Sequence, residues 1–260
     1  LVTYRRDQGL GEYHDHPIFG GQHSPGGVLA LYSPLFGSLP EDAPPNTLQT
    51  GQVLQTGGGT LDEGVADFLS RGERPLVFTL GSASSYTARA FFRHSVRIAQ
   101  RLRMRALLLV GRPENLDGLP QDETVLAAVK APYQDVFPHA RAVVHQGGIG
   151  TIALALTSGA PMLLVPFAHD QPDNSARAAR AGVAKVIPAW RFGPSAARTV
   201  RTLCEDGAMR LRVAEAGAAM RAERGADRAA SAIVAAAQEG RRAGRTAPST
   251  TVTHHLTQSA

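Results

Sequence analysis

The chain has 260 residues, 43% of them hydrophobic, which is enough for one large α/β core and excludes a disordered or fibrous protein. The formal net charge of +5 arises entirely in residues 191–260, which carry 11 basic and 6 acidic side chains. Because a nucleic-acid reader usually carries its basic residues on the folded core, nucleic acid is not an expected partner. The single cysteine, Cys204, excludes an intrachain disulfide and favours the cytoplasm, and no apolar run approaches the ~20 residues of a membrane-spanning helix.

The first 60 residues are rich in turn formers, and we assign residues 1–50 to the end of a preceding domain and a linker. One apolar run, 28–32, could form a short buried strand, but so little apolar sequence cannot build a core alone. Since the chain opens at Leu1 with residues typical of the middle of a domain, we expect a piece of a longer protein.

From residue 51 onwards, apolar strands alternate with amphipathic helices. The predicted strands span 75–80, 106–110, 124–129, 142–145, 161–165 and 183–187. The predicted helices span 61–71, 86–104, 150–158 and 172–181, and helical sequence continues from 193 to about 239. Residues 241–260 are predicted to be a disordered tail.

Uniformly apolar strands separated by helices indicate a parallel sheet with helices on both faces. The sequence therefore predicts a Rossmann-like α/β domain over residues 51–240. In such sheets, ligands bind beyond the carboxyl ends of the strands. The candidate site residues follow those ends.

The densest signal is the segment AVVHQGGIGTIALAL at 142–156, where a buried strand is followed at once by glycines and a helix. Glycines let the backbone approach a ligand, and the free N–H groups at the helix N-terminus form an anion site suited to a diphosphate. Thr151 can add a hydroxyl and His145 a ring N–H. The alternative is an ordinary tight turn beside a core histidine. The amides in question belong to Gly148, Ile149, Gly150 and Thr151.

The same segment also matches a dinucleotide-binding fingerprint. Residues 148–153 read G-x-G-x-x-A, and Asp170 lies 22 residues after Gly148. This spacing is close to that of the acidic residue that binds the ribose in an NAD-binding domain. The match falls late in the sheet, and residues 166–169 separate Asp170 from the preceding strand. An NAD-binding domain is therefore the weaker alternative.

A second signal is the pair Asp170 and Gln171, which follows the next buried strand. A carboxylate and an amide together can bind several sugar hydroxyls. Asp170 could instead cap the following helix, but Asp173 or Asn174 can do so and leave Asp170 free for a ligand. A third, weaker signal is Ser82, a small residue after the first strand that permits close approach of a ligand.

Together these motifs resemble the donor-binding half of UDP-glycosyltransferase-type enzymes of the GT-B fold, and they are most similar to the bacterial macrolide, antibiotic and glycolipid glycosyltransferases. The resemblance rests on PYQDVFPHARAVVHQGGIGT (132–151), PMLLVPFAHDQPDN (161–174) and SARAARAGVA (175–184). The segment GGQHSPGGVLALYSPLFGSLPEDAPPNTLQTGQ (20–52) resembles the end of the first domain of these enzymes and its linker.

The resemblance implies a role for each matching residue. The diphosphate would be bound by Ser82, His145, Gly147, Gly148, Ile149, Gly150 and Thr151. The nucleotide base would lie near Pro132, Tyr133 and Gln134, and the sugar hydroxyls near Asp170 and Gln171. The chain departs from the family pattern at Gln146, where a second histidine is frequent, and at Leu154, where glutamate is frequent.

The leading hypothesis is the donor-binding part of an inverting glycosyltransferase. It would move a hexose from a nucleotide diphosphate sugar, expected to be a UDP-sugar, to a hydroxyl of a small lipophilic acceptor. The helix N-terminus would stabilise the departing diphosphate, so neither a metal nor another cofactor is expected. In the family the catalytic base is a histidine of the first domain, where the acceptor also binds, so no catalytic residue is expected in this chain.

A non-catalytic protein of the same fold, which binds a nucleotide sugar or assists an active enzyme, is the main alternative. Two histidine clusters contain residue types that bind metals, but each lacks the further ligands of a closed site. They are His14 with Asp15 and His16, and His254 with His255.

Overall fold

The computed structural model describes residues 2–9, 23–24, 26–54, 57, 59–81 and 88–246. Its strands are β1 (Val28–Ala30), β2 (Thr47–Gln49), β3 (Leu76–Thr79), β4 (Ala106–Leu109), β5 (Val125–Ala128), β6 (Ala142–His145), β7 (Met162–Leu164) and β8 (Ala184–Val186). Its helices are α1 (Val2–Asp7), α2 (Glu63–Ser70), α3 (Ala88–Leu102), α4 (Tyr133–Val136), α5 (Ile149–Thr157), α6 (Gln171–Arg180), α7 (Ala197–Glu205), α8 (Gly207–Ala222) and α9 (Gly225–Thr246).

The predicted α/β fold is confirmed: β3 to β8 form one parallel sheet flanked by helices, in the order β5-β4-β3-β6-β7-β8. From β3 the chain builds outwards through β4 and β5, and it then returns to place β6 on the other side of β3. Because the connections after β3 and after β6 run in opposite directions, a crevice opens at the carboxyl ends of these two strands.

Every residue of β3, β4, β6 and β7 is buried, which explains why these strands are uniformly apolar in sequence rather than alternating. Helix α3 covers the sheet with the apolar face that its spacing predicts. That face consists of Phe91, Phe92, Val96, Ile98, Ala99 and Leu102, all buried. Asp62 caps α2 by accepting the N–H of Gly64 at 2.9 Å, as the acidic start of this helix predicts.

The N-terminal part of the chain differs from the prediction. The strand expected at 28–32 is shorter, half-buried rather than buried, and pairs in parallel with β2, which was not predicted. Polar contacts join the N-terminal segment that carries this small sheet to the large domain. Arg228 donates to the carbonyl of Gln49 at 3.2 Å, and Arg177 of α6 donates to that of Phe36 at 2.7 Å.

The C-terminal end differs as well. Helix α9 continues to Thr246, so residues 241–246 of the predicted disordered tail are helical. Residues 247–260 of that tail lie outside the described residues. No helix in the described part of the chain is both long and apolar enough to cross a membrane.

Candidate active site

A cleft of about 530 Å³ lies at the crevice between the ends of β3 and β6. It brings together two motifs that are about twenty residues apart in sequence, the glycine turn and the loop before α6. The residues that line it are Val53, Leu54, Gly81, Gln146, Gly148, Ile149, Gly150, Thr151, Ala153, Leu154, His169, Asp170 and Gln171.

The turn after β6 depends on Gly147, whose φ is +90°, in the region that favours glycine. A Cβ at this position would also collide with Ser175 Oγ of α6. The tight turn places Gly148 at the N-cap of α5, where no side chain caps the helix. The amides of the first turn of α5 therefore border the cleft and are available to an anion.

His145 is fully buried and does not line the cleft. Its Nδ1 accepts the N–H of Gly147 at 3.2 Å, so in the neutral ring the proton is on Nε2, to which the described residues offer no acceptor. Burial lowers the pKa of this histidine to about 3, which keeps the ring uncharged at neutral pH. In this structure, the buried ring of His145 thus stabilises the glycine turn from the core side, by accepting the N–H of Gly147.

The loop before α6 presents Asp170 to the cleft. His169 adopts a φ of +60°, rare for a residue other than glycine, and this bend sets the direction of the next two residues. Asp170 occupies the N-cap position but makes no side-chain cap, so the alternative of a simple capping role is wrong. Instead its Oδ2 accepts from Asn174 Nδ2 at 2.7 Å, and the same amide donates to the carbonyl of Gly147 at 3.2 Å.

Gln171 is buried and only partly available to a ligand. Its Oε1 accepts the N–H groups of Phe167 and Ala168 at 2.9 and 3.1 Å, which fixes the loop. Only the amide nitrogen of Gln171 is therefore left to face a sugar hydroxyl.

The predicted base-binding loop is the first turn of α4, with Pro132 at its N-cap. Tyr133 lines a second cavity of about 330 Å³, which shares Gly81 with the main cleft. Tyr133 Oη lies 2.7 Å from Thr79 Oγ1, and its ring stacks on Phe137. Pro132 and Gln134 are not among the residues that line this second cavity. Burial raises the pKa of the Tyr133 phenol, which stays protonated and able to donate.

Several predicted residues cannot be placed. Ser82 and both histidine clusters lie outside the described residues. Within the described part of the chain, no three His, Cys, Asp or Glu side chains are grouped so that they could hold a metal ion.

The structure adds cleft residues that sequence reasoning did not assign. Val53 and Leu54 come from the linker, and Gln146 comes directly after β6. Two sequence signals mark Gln146. It lies between the predicted strand and the glycine turn, where side chains of a parallel sheet commonly reach the ligand edge, and it replaces a histidine that the resemblance leads us to expect.

Comparison with known proteins gives consistent results. Residues 110–239 match the family described as "Erythromycin biosynthesis protein CIII-like, C-terminal domain". The chain is 41% identical over 166 residues to O-mycaminosyltylonolide 6-deoxyallosyltransferase of Streptomyces fradiae, over 63% of this chain and 38% of that protein. The structure is similar to the glycotransferase of kitacinnamycin at 25% identity and a TM-score of 0.66, over 82% of this chain and 55% of that one.

The fold is also similar to that of the glycosyltransferase VinC in complex with dTDP, at 21% identity and a TM-score of 0.63. That likeness covers 82% of this chain and 52% of VinC. The chain thus spans less than two thirds of the length of each of these three proteins.

Proposed function

Because the chain belongs to the family of erythromycin biosynthesis protein CIII-like C-terminal domains, we propose that it is the donor-binding part of a glycosyltransferase. The donor is a nucleotide diphosphate sugar, with UDP as the first nucleotide to test and dTDP as the second. The observation that carries the proposal is the uncapped N-terminus of α5, which faces Asp170 across one cleft.

The contact between the two cavities supports this donor. A nucleotide sugar presents a base, a diphosphate and a sugar in sequence. The cavity at Tyr133 shares Gly81 with the cleft that holds the amides of Gly148 to Thr151 and the carboxylate of Asp170, so a base in the first cavity would leave the diphosphate and the sugar to the second. The diphosphate would then lie against the positive end of the α5 dipole.

In this proposal, the protein aids the departure of the leaving group. As the bond between the sugar and the diphosphate breaks, negative charge develops on the diphosphate, and fixed N–H donors stabilise it without reorganising. These donors supply this aid without a metal or other cofactor. The sugar is a hexose, and inversion follows if the acceptor hydroxyl attacks the face of the sugar opposite the diphosphate.

The acceptor is proposed to be a small lipophilic molecule that binds to a preceding domain of a longer protein. The catalytic base is proposed to be a residue of that same domain. No residue of the described cleft is assigned as the base. The single cysteine supports placing the enzyme in a reducing compartment, the cytoplasm.

Calorimetric titration of the chain with UDP, dTDP and NAD tests the proposal. We expect at least one of the two nucleoside diphosphates to bind and NAD not to bind. Binding of NAD alone would overturn the proposal and favour a dinucleotide site at the same glycine turn.

A further inference from the structure

Gln146 occupies an unusual position in the wall of the cleft. The residue is only 6% exposed, yet the described residues supply no hydrogen-bond partner to its Oε1 or to its amide nitrogen. Gln121, in contrast, uses both atoms of its amide, since its Nε2 donates to the carbonyl of Ala127 and its Oε1 accepts the N–H of the same residue. An anion cannot donate to Gln146 Oε1, but Gln146 lines the cleft and its amide nitrogen has two N–H groups to offer a ligand.

Two glycines make room for this amide. A Cβ on Gly81 would collide with Gln146 Nε2, and a Cβ on Gly148 would lie 3.1 Å from the same nitrogen. The amide nitrogen therefore lies between the end of β3 and the N-cap of α5. This is the place where an anion bound to the first turn of α5 would be within reach of a donor.

The charges of the side chains that line the cleft increase the importance of a neutral donor for anion binding. Among the described residues that line it, none is lysine or arginine, and Asp170 contributes a negative charge. An anion in the cleft would meet the helix amides, the hydroxyl of Thr151 and the amide of Gln146, all of them uncharged. With no cationic side chain, each neutral donor carries a larger share of the binding.

We propose that Gln146 is a specificity-determining residue that donates Nε2–H to the diphosphate and so distinguishes a nucleoside diphosphate from a nucleoside. This inference rests on the proposed function, because it concerns the same cleft. The amide supplies a donor without supplying a titratable group.

The test compares UDP and dTDP with uridine and thymidine by calorimetry on the full chain. Gln146→Leu removes the amide at similar size, and we expect about a tenfold or greater loss of affinity for the diphosphate and no loss for the nucleoside. Gln146→Glu should weaken diphosphate binding further, because the carboxylate repels it. Gln100→Leu, on the exposed side of α3, is the matched control and should change neither affinity.

Gly81→Ala, made in the wild type and in the Gln146→Leu background, separates an effect on the Gln146 amide from a folding defect. Gly81→Ala should displace the amide, so its effect on diphosphate affinity should be smaller in the Gln146→Leu background than in the wild type. Additive effects would count against the inference. Thermal unfolding of each variant identifies those that are folded.

The outcomes separate the two proposals. If the wild type binds neither nucleoside diphosphate, the proposed function fails. If the wild type binds one and Gln146→Leu binds it equally well, or loses nucleoside affinity to the same extent, only the role of Gln146 is overturned.

Discussion

Ser175 Oγ of α6 occupies the space into which a side chain on residue 147 would extend, so α5 and α6 approach each other only because Gly147 has no Cβ. Ser175 is fully buried, and its hydroxyl forms no hydrogen bond with any residue that the structure describes. The close contact fixes the turn after β6 relative to the loop that carries Asp170. The packing thereby fixes the distance between the two halves of the candidate donor site, which are the glycine turn and the loop with Asp170.

Gly147→Ala should destabilise the protein by about 2 kcal/mol or more, because it combines a φ of +90° with the collision against Ser175. Urea unfolding followed by circular dichroism measures this loss. The control is Gly150→Ala in the same turn, where φ is not positive and no atom lies within 4 Å of a new Cβ. It should be neutral or stabilising by up to about 1 kcal/mol, since alanine favours helix. Equal stability of both variants would contradict this account.

Asp170→Ala should weaken binding of the nucleotide sugar much more than binding of the matching nucleoside diphosphate. The carboxylate is proposed to accept sugar hydroxyls, and the diphosphate is held by α5. Calorimetry with UDP-glucose and UDP, or with the dTDP pair, measures both affinities. Asp173→Ala, which removes a carboxylate paired with Arg177 on the exposed side of α6, is the control and should change neither. Equal losses for both ligands in Asp170→Ala would place Asp170 outside the sugar site.

His145 should make the fold sensitive to acid. Burial lowers its native pKa to about 3, whereas the unfolded ring titrates near 6.5, so below pH 6.5 only the unfolded chain takes up this proton. The stability contributed by the neutral ring is full above pH 6.5 and is lost as the pH falls towards 3, by up to about 1.4 kcal/mol per pH unit.

Urea unfolding at pH 7 and pH 4.5 checks this pH dependence. His145→Asn should be less stable at pH 7 but should lose less stability between the two pH values than the wild type. His139→Asn, at an exposed histidine, should retain the wild-type difference. An unchanged difference in His145→Asn would mean that the ring is not the group responsible.

Glu223 joins the end of α8 to the N-terminal part of the chain. Its carboxylate accepts the N–H of Gln52 at 2.7 Å and the hydroxyl of Ser33, and both of these residues are buried. Glu223→Ala leaves two buried donors unpaired and should lower the free energy of unfolding by about 2 kcal/mol. Glu215→Ala, at an exposed position of α8, should lie within about 0.5 kcal/mol of the wild type. Equal urea midpoints for the two variants would rule out a stabilising role for this contact.

The sheet domain was predictable because its signals are local. The run LVFT of β3 and the run ALLL of β4 are apolar throughout, and the spacing of Phe91, Phe92 and Val96 is that of one helix face. The short helix α4 was not predicted, because four residues after a proline carry too little periodicity. Strand β2 was missed because the pairing that creates it is with β1, which is seventeen residues away and equally short.

By itself, the sequence determined the parallel α/β class and the glycine turn that opens α5, since apolar periodicity and glycine conformations are properties of neighbouring residues. Only the tertiary structure decided which side chains meet the cleft. His145 and Gln146 are adjacent, but successive residues at a strand end point to opposite sides, so one is enclosed in the core and the other borders the cleft. The strand order places Gly81 beside them, and the packing of α6 against Gly147 brings Asp170 to the same cleft.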